Sequence, residues 1–168
     1  MNALIENFLS TDCFAARYGS PLPRELRIQA GDMNWTTFTQ HFSSTTGPIR
    51  LGSWDSTATR GGRTRFDATF GIDDAIHTAS ATTYGPVDAL TSMLYDCGFH
   101  IEILEFHQQS LTEGTTATFV HCELDGHREW SMAIEPDAVL SSIRAIIGAA
   151  NMLHYRYLPH VLDTDRKA

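Results

Sequence analysis

Eight histidines and three cysteines are the first candidates for metal or nucleophilic chemistry in this chain. Local metal sites are marked by short spacings such as H-x-H, H-x-x-x-H or C-x-x-C, because neighbouring ligands must converge on one ion. His41, His77, His100, His107, His121, His127, His154 and His160 form no such pair. His121 and Cys122 are adjacent, so on a strand they point to opposite faces. No metal is expected from spacing, and only a site assembled from distant residues stays open. Cys13, Cys97 and Cys122 are odd in number and widely separated. They read as reduced, buried thiols of a cytoplasmic protein and not as a disulfide framework. Asp73-Asp74 could be imagined as an acid pair, but adjacent turn residues diverge and a hairpin explains both. Ser53, Ser110 and Ser131 lie in no nucleophile motif, and no P-loop or dinucleotide fingerprint occurs. Catalysis therefore has no support in these residues, and no cofactor is expected.

Binding chemistry has one better candidate, Thr82-Thr83-Tyr84-Gly85-Pro86-Val87-Asp88-Ala89, which runs from an expected strand into an expected helix. Gly85 permits a tight backbone, and Pro86 suits the first helical turn. A helix start with open N–H groups attracts a carboxylate or another anion. Asp88 competes for that role or pairs a ligand ammonium. Ordinary strand-to-helix punctuation is the other reading of the same residues.

The elements that would carry this segment follow from periodicity. Residues 1–46 read as helical: a helix over Ala3–Tyr18 stopped by Gly19, a short one after Pro23, and a third capped by Asn34 with Trp35, Phe38 and Phe42 on one face. From Ile49 the pattern alternates. Strands are expected over Ile49–Thr59, Thr64–Phe70 and Ala75–Thr82, with turns at Gly61-Gly62 and Gly71–Asp74, before a helix opened by Gly85-Pro86 and closed by Gly98. The same order returns: strands over Phe99–Phe106, Thr115–Leu124 and His127–Ile134, then a helix opened by Pro136. Asp73-Asp74 with Gly85-Pro86 and Asp125-Gly126 with Glu135-Pro136 look like two copies of one pattern.

The fold expected is α+β: two βββα units related by a pseudo-twofold, each an antiparallel sheet with one helix, behind an N-terminal helical segment. The boundaries fall at 1–46, 47–152 and a tail at 153–168. Each helix covers one sheet face and the other face needs a partner, so a homodimer is expected.

Composition narrows the partners. A net charge of −8 and no Lys/Arg cluster beyond Arg60-Gly61-Gly62-Arg63-Thr64-Arg65, which reads as a hairpin tip, argue against nucleic acid. No apolar run approaches the ~18 residues that cross a bilayer, and no signal peptide is visible. A hydrophobic fraction of 42% suits one domain with a core.

Tyr84-Gly85-Pro86-Val87-Asp88-Ala89-Leu90 resembles the G-N-G-P-x-x-A segment of 2-isopropylmalate synthase regulatory domains. Ile103-Leu104-Glu105-Phe106, Leu111, Gly114 and Ala117 are similar to that family's V-L-D-Y-x-E-H-A-x-x-x-G-x-D-A stretch. Glu129–Ile134 resembles its x-W-G-V-G-I strand, and Ser141–Asn151 its closing S-L-x-A-V-x-S-A-x-N helix. Arg17-Tyr18-Gly19 and Leu22–Arg27 resemble the linker that follows the catalytic barrel. The resemblance implies a leucine-sensing allosteric domain that pairs between subunits. The family's condensation of acetyl-CoA with 2-oxoisovalerate runs in a metal-dependent barrel of ~250 residues, whose H-x-H and G-N-G-E-R motifs are missing here. The chain is thus expected to be a non-enzyme: an effector-binding homodimer, or a ligand-free assembly subunit pairing with itself or with a separately encoded synthase barrel; a small enzyme of unrelated chemistry, supported by the histidine count alone, is the third reading. Carried across, the effector site comprises Gly85, Pro86, Val87, Asp88, Ile103, Phe106 and Ala117, with Thr83, Tyr84 and Ser110 replacing family residues and Gln108-Gln109 standing for E-H.

Overall fold

The computed structural model describes residues 12–157. Among the described residues, three short helices come first: α1 Cys13–Tyr18, α2 Arg24–Ala30 and α3 Trp35–Phe42. The helix expected over Ala3–Tyr18 starts, within the described residues, only at Cys13. Asp12 sits in extended backbone just before it and accepts from the N–H of Phe14 at 3.0 Å, of Ala15 at 2.9 Å and, through its other oxygen, of Leu22 at 2.8 Å. A side chain that caps a helix this way fixes where that helix starts. Residues 3–11 of that expected helix lie outside the described residues. Asn34 caps α3 as its type predicts, accepting from Thr37 N–H at 2.9 Å.

Two βββα units follow. β1 Ile49–Ala58, β2 Thr64–Ile72 and β3 Ala75–Thr83 form an antiparallel sheet in that order, followed by α4 Pro86–Asp96. β4 Glu102–Ser110, β5 Thr116–Leu124 and β6 His127–Glu135 form the second, followed by α5 Ala138–Tyr157. The architecture is the α+β arrangement expected. The fourth strand begins later than expected because Phe99 still closes α4: its N–H reaches Leu94 O at 2.8 Å around Gly98, whose φ is 95°. The last helix runs past residue 152 to Tyr157. The remainder of the expected tail, 158–168, lies outside the described residues.

The repeat has a fixed period. Adding 52 to each residue number carries β2 onto β5, β3 onto β6 and the start of α4 onto the start of α5. It also carries Asp73 onto Asp125, each in a two-residue hairpin turn with φ of 51° and 50°. Sequence alone pairs Pro86 with Pro136, two residues out of step. Pro86 is the first helical residue of α4, whereas Pro136 lies before the Asp137 that caps α5.

Both units share one core. Phe66, Ala68 and Phe70 of the first sheet, Val120, Cys122 and Leu124 of the second, and the apolar stripes of α4 and α5 meet in it. A second core lies on the far face of the second sheet. There Ala117, Phe119, Trp130 and Met132 are buried under Phe14, Leu22, Leu26, Phe38 and Phe42 of the N-terminal helices. The partner expected for this face is therefore supplied by the same chain. The far face of the first sheet carries Arg50, Ser53, Asp55, Arg65, Asp67, Thr69, Thr78, Ser80 and Thr82, with Ile76 as its exposed apolar exception. Neither far face offers a broad apolar surface, so the physical reason first given for a dimer does not hold.

The N-terminal end of β1 is tied to α5 by one side chain. Buried Asn151 accepts from Ile49 N–H and donates to Ile49 O, both at 2.9 Å, like a strand partner. Gly47, at φ 152°, passes so close that a Cβ there would collide with the amide. Asn151→Ala strands a buried donor and acceptor together, and is expected to lower the unfolding free energy by about 2 to 4 kcal/mol in a urea titration. A loss below about 0.5 kcal/mol would show that this clamp does not hold the two elements.

Candidate functional site

The strand-to-helix segment 83–88 keeps its helix start open. Gly85 is the N-cap of α4 in extended backbone, φ −159° and ψ 161°, with no side-chain cap. Any residue adopts that conformation, so the glycine is not there for backbone freedom. A Cβ on it would meet nothing within 4 Å, so the space beside the helix start is clear. The equivalent residue of the second unit, Asp137, caps α5 by accepting from Leu140 N–H at 2.8 Å. The N–H groups of Val87 and Asp88 have no such side chain. Thr83 Oγ1 donates to Gly85 O at 2.7 Å and braces the turn.

A cation completes this surface. The Arg63 guanidinium lies 5.8 Å from the ring centre of Tyr84, which is 77% exposed, and donates to Thr82 O at 2.7 Å. A guanidinium over an aromatic face adds a favourable electrostatic contact. Arg63, uncapped helical N–H groups and the Asp88 carboxylate together offer partners for both ends of a zwitterion. Sequence reading placed Arg63 only in a hairpin tip. The signal was present in the two-residue turn at Asp73-Asp74, which pairs Thr64 with Thr83 and so sets residue 63 beside residue 84.

The second half of the expected site lies on β4. Ile103 and Phe106 are three residues apart and would face opposite ways on a regular strand. A bulge between Ile103 and Glu105 brings both onto the α5 side, opposite Cys122 and Val120. Its counterpart between Leu51 and Ser53 does the same for Leu51 and Trp54. Ile103 is half-buried at the edge of the main core, while Phe106 is 40% exposed. Gln108 on the same face holds its Nε2 within 3.0 Å of Thr118 Oγ1, Ala138 O and Ser142 Oγ, and its two N–H groups are shared among these acceptors, fastening β4 to the start of α5. Val139, next to Ala138, is also exposed. Ser110 continues this face, exposed, at the end of the strand. Ala117 does not belong with these residues. It is fully buried on the opposite face with Phe119 and Trp130, because strand alternation separates it from Phe106. Among the described residues, no hydrogen bond or ring contact joins 83–88 to β4 within one copy.

A cavity of about 300 Å³ lies elsewhere, between Ser43–Thr45, the start of β1, β6 and α5. Arg50, Asn151 and the Arg144–Glu135 ion pair, 3.1 Å apart, line it, and it shares no residue with 83–88.

The family of this fold is shown by its sequence. The description "LeuA allosteric (dimerisation) domain" belongs to a family model that matches residues 28–154. The chain belongs to this LeuA family. The match takes in both βββα units and α3. The 2-isopropylmalate synthase of Renibacterium salmoninarum is 28% identical over 133 residues, covering 73% of this chain and 23% of that protein. Those of Thermobifida fusca and Mycobacterium leprae are 25% and 26% identical, covering 80% and 81% of this chain and 27% and 26% of theirs. The chain thus spans about a quarter of the length of these relatives.

In this LeuA-family chain only Cys122 is a buried core residue, whereas Cys13 and Cys97, expected to be buried too, are half-buried against the edges of the two cores. Burial pushes the Cys122 thiol up to about 12. Cys13 and Cys97 are also raised, chiefly by partial burial, with Asp12 and Asp96 adding to it. Thiolate is the reactive form, so none is an activated nucleophile. In the native protein an aromatic disulfide reagent is expected to label at most Cys13 and Cys97, and Cys122 only after denaturation. Three thiols reacting at one rate in the native state would contradict this placement.

Proposed function

We propose that this chain is a non-catalytic, cytoplasmic regulatory and dimerisation module of the 2-isopropylmalate synthase type. It takes a small amino acid of the leucine class on segment 83–88. The observation that carries this reading is the open start of α4 in a LeuA-family fold, flanked by Arg63, Tyr84 and Asp88. The ligand carboxylate meets the N–H groups of Val87 and Asp88 with Arg63 nearby, and the ammonium meets Asp88. The ligand side chain packs on Tyr84 and Val87.

The apolar wall is incomplete in one copy. Ile103 and Phe106 are supplied by β4 of a second copy, which covers the surface that Phe106 and Val139 leave exposed. The braced turn at Thr83 favours a second reading: a ligand-free assembly subunit that pairs with itself or with a separately encoded synthase barrel.

Calorimetric titration with L-leucine, L-isoleucine, L-valine and L-lysine separates the two. One branched amino acid is expected to bind once per protomer, in a particle of twice 18.7 kDa by light scattering. Tyr84→Ala or Phe106→Ala is expected to weaken it about tenfold, as loss of ~1.4 kcal/mol of apolar contact requires. No heat with any of the four would remove the sensing claim, and copurification of a barrel protein would then favour the assembly reading.

A further inference from the structure

The N-terminal helices and the second sheet meet at a group of side chains with metal-ligand chemistry. Glu25 on α2, Glu105 on β4 and His121 on β5 each bring one ligand atom within 4.8 Å of the other two. Glu105 and His121 are directly paired across the strands, and the bulge in β4 turns Glu105 onto this face. Glu25 joins them because α2 docks over the same face. Three separate elements supply the three groups, so no short spacing could announce them.

His121 is the informative member. It is only 7% exposed, and its ring lies flat on Trp130, with centroids 4.7 Å apart and planes 2° apart. Neither ring nitrogen takes a hydrogen-bond partner among the described residues. The ring nitrogens are thus left to water or to an added ligand. Here the nitrogen faces two carboxylates that stand beyond ion-pair contact with it, since no such pair forms. Ligands of one zinc ion, each about 2.0 to 2.2 Å from the metal, sit roughly 3 to 4 Å from one another. The three atoms, within 4.8 Å of one another, leave room for a cation between them, and the side chains close in slightly to reach it.

Supporting contacts are also in place. His107 Nε2 lies 3.1 Å from Glu105 Oε2 and orients that carboxylate, and the Trp130 stack fixes the imidazole plane. The equivalent positions of the first unit are Ser53 and Thr69, which are joined by a 2.9 Å hydrogen bond. The ligand set is thus confined to the sheet that the helices cover.

We propose that Glu25, Glu105 and His121 bind a divalent cation of the zinc class, with a water completing the coordination. One imidazole with two carboxylates suits zinc and its transition-metal neighbours better than magnesium or calcium. The ion clips α2 to β4 and β5, holding the helical segment on the sheet.

The test uses the untagged full chain after chelator treatment, titrated with zinc chloride and, separately, magnesium chloride. One zinc per chain is expected by calorimetry, with a zinc-dependent rise in melting temperature that magnesium does not give. Glu25 is exposed, so Glu25→Gln leaves folding intact. It is expected to weaken zinc at least about tenfold, as is Glu105→Gln. Absence of zinc-dependent heat and melting shift would overturn the site. So would zinc binding of unchanged affinity in Glu25→Gln, which would place the ion on other histidines.

Discussion

One helix can dry only one face of a three-stranded sheet, and the far face of each sheet is where the two halves of this molecule part company. In the first unit that face is built of serine, threonine, aspartate and arginine and stays wet. In the second it carries Phe119, Trp130 and Met132, which cannot stay wet. The three N-terminal helices are the answer, and Phe14, Leu26 and Phe38 lose all their exposure in giving it. The segment that resembles a linker is therefore part of the core. Asp12 holds that segment in shape by satisfying three N–H groups with one carboxylate.

The 52-residue period shows how one backbone was put to two uses. Equivalent positions share strand register, bulge and hairpin geometry but not chemistry. Gly85 leaves one helix start open where Asp137 closes the other. Trp54 packs on Phe66 in the first unit, while Phe106 is left exposed in the second. Ser53 and Thr69 bond to each other where Glu105 and His121 face Glu25. Both proposed sites sit where the copies differ, at an uncapped helix start and at a buried imidazole that each occur in only one half.

Much of the fold was legible. Alternation and two-residue turns marked six strands, and Asn34 and Pro86 marked two helix starts, because these signals act within a few residues. The strand-to-helix transition at 83–86 was legible for the same reason. What escaped were effects of pairing and docking. The bulge that turns Ile103 and Phe106 to one side, and the alternation that sends Ala117 to the other, depend on register across strands. Arg63 beside Tyr84 follows from counting around a hairpin. The covering of the second sheet by α1 to α3, and the meeting of Glu25 with His121, depend on tertiary packing that no local pattern encodes.

The central claim is that a small amino acid binds on segment 83–88 against β4 of a second copy. Amide chemical shifts of the isotope-labelled chain during L-leucine addition test it most directly. The account predicts shifts concentrated at Gly85, Val87, Asp88, Ile103 and Phe106, in a particle whose tumbling is that of a dimer. Shifts confined to the cavity around Arg50 and Arg144, or no shifts in a monomer, would contradict it.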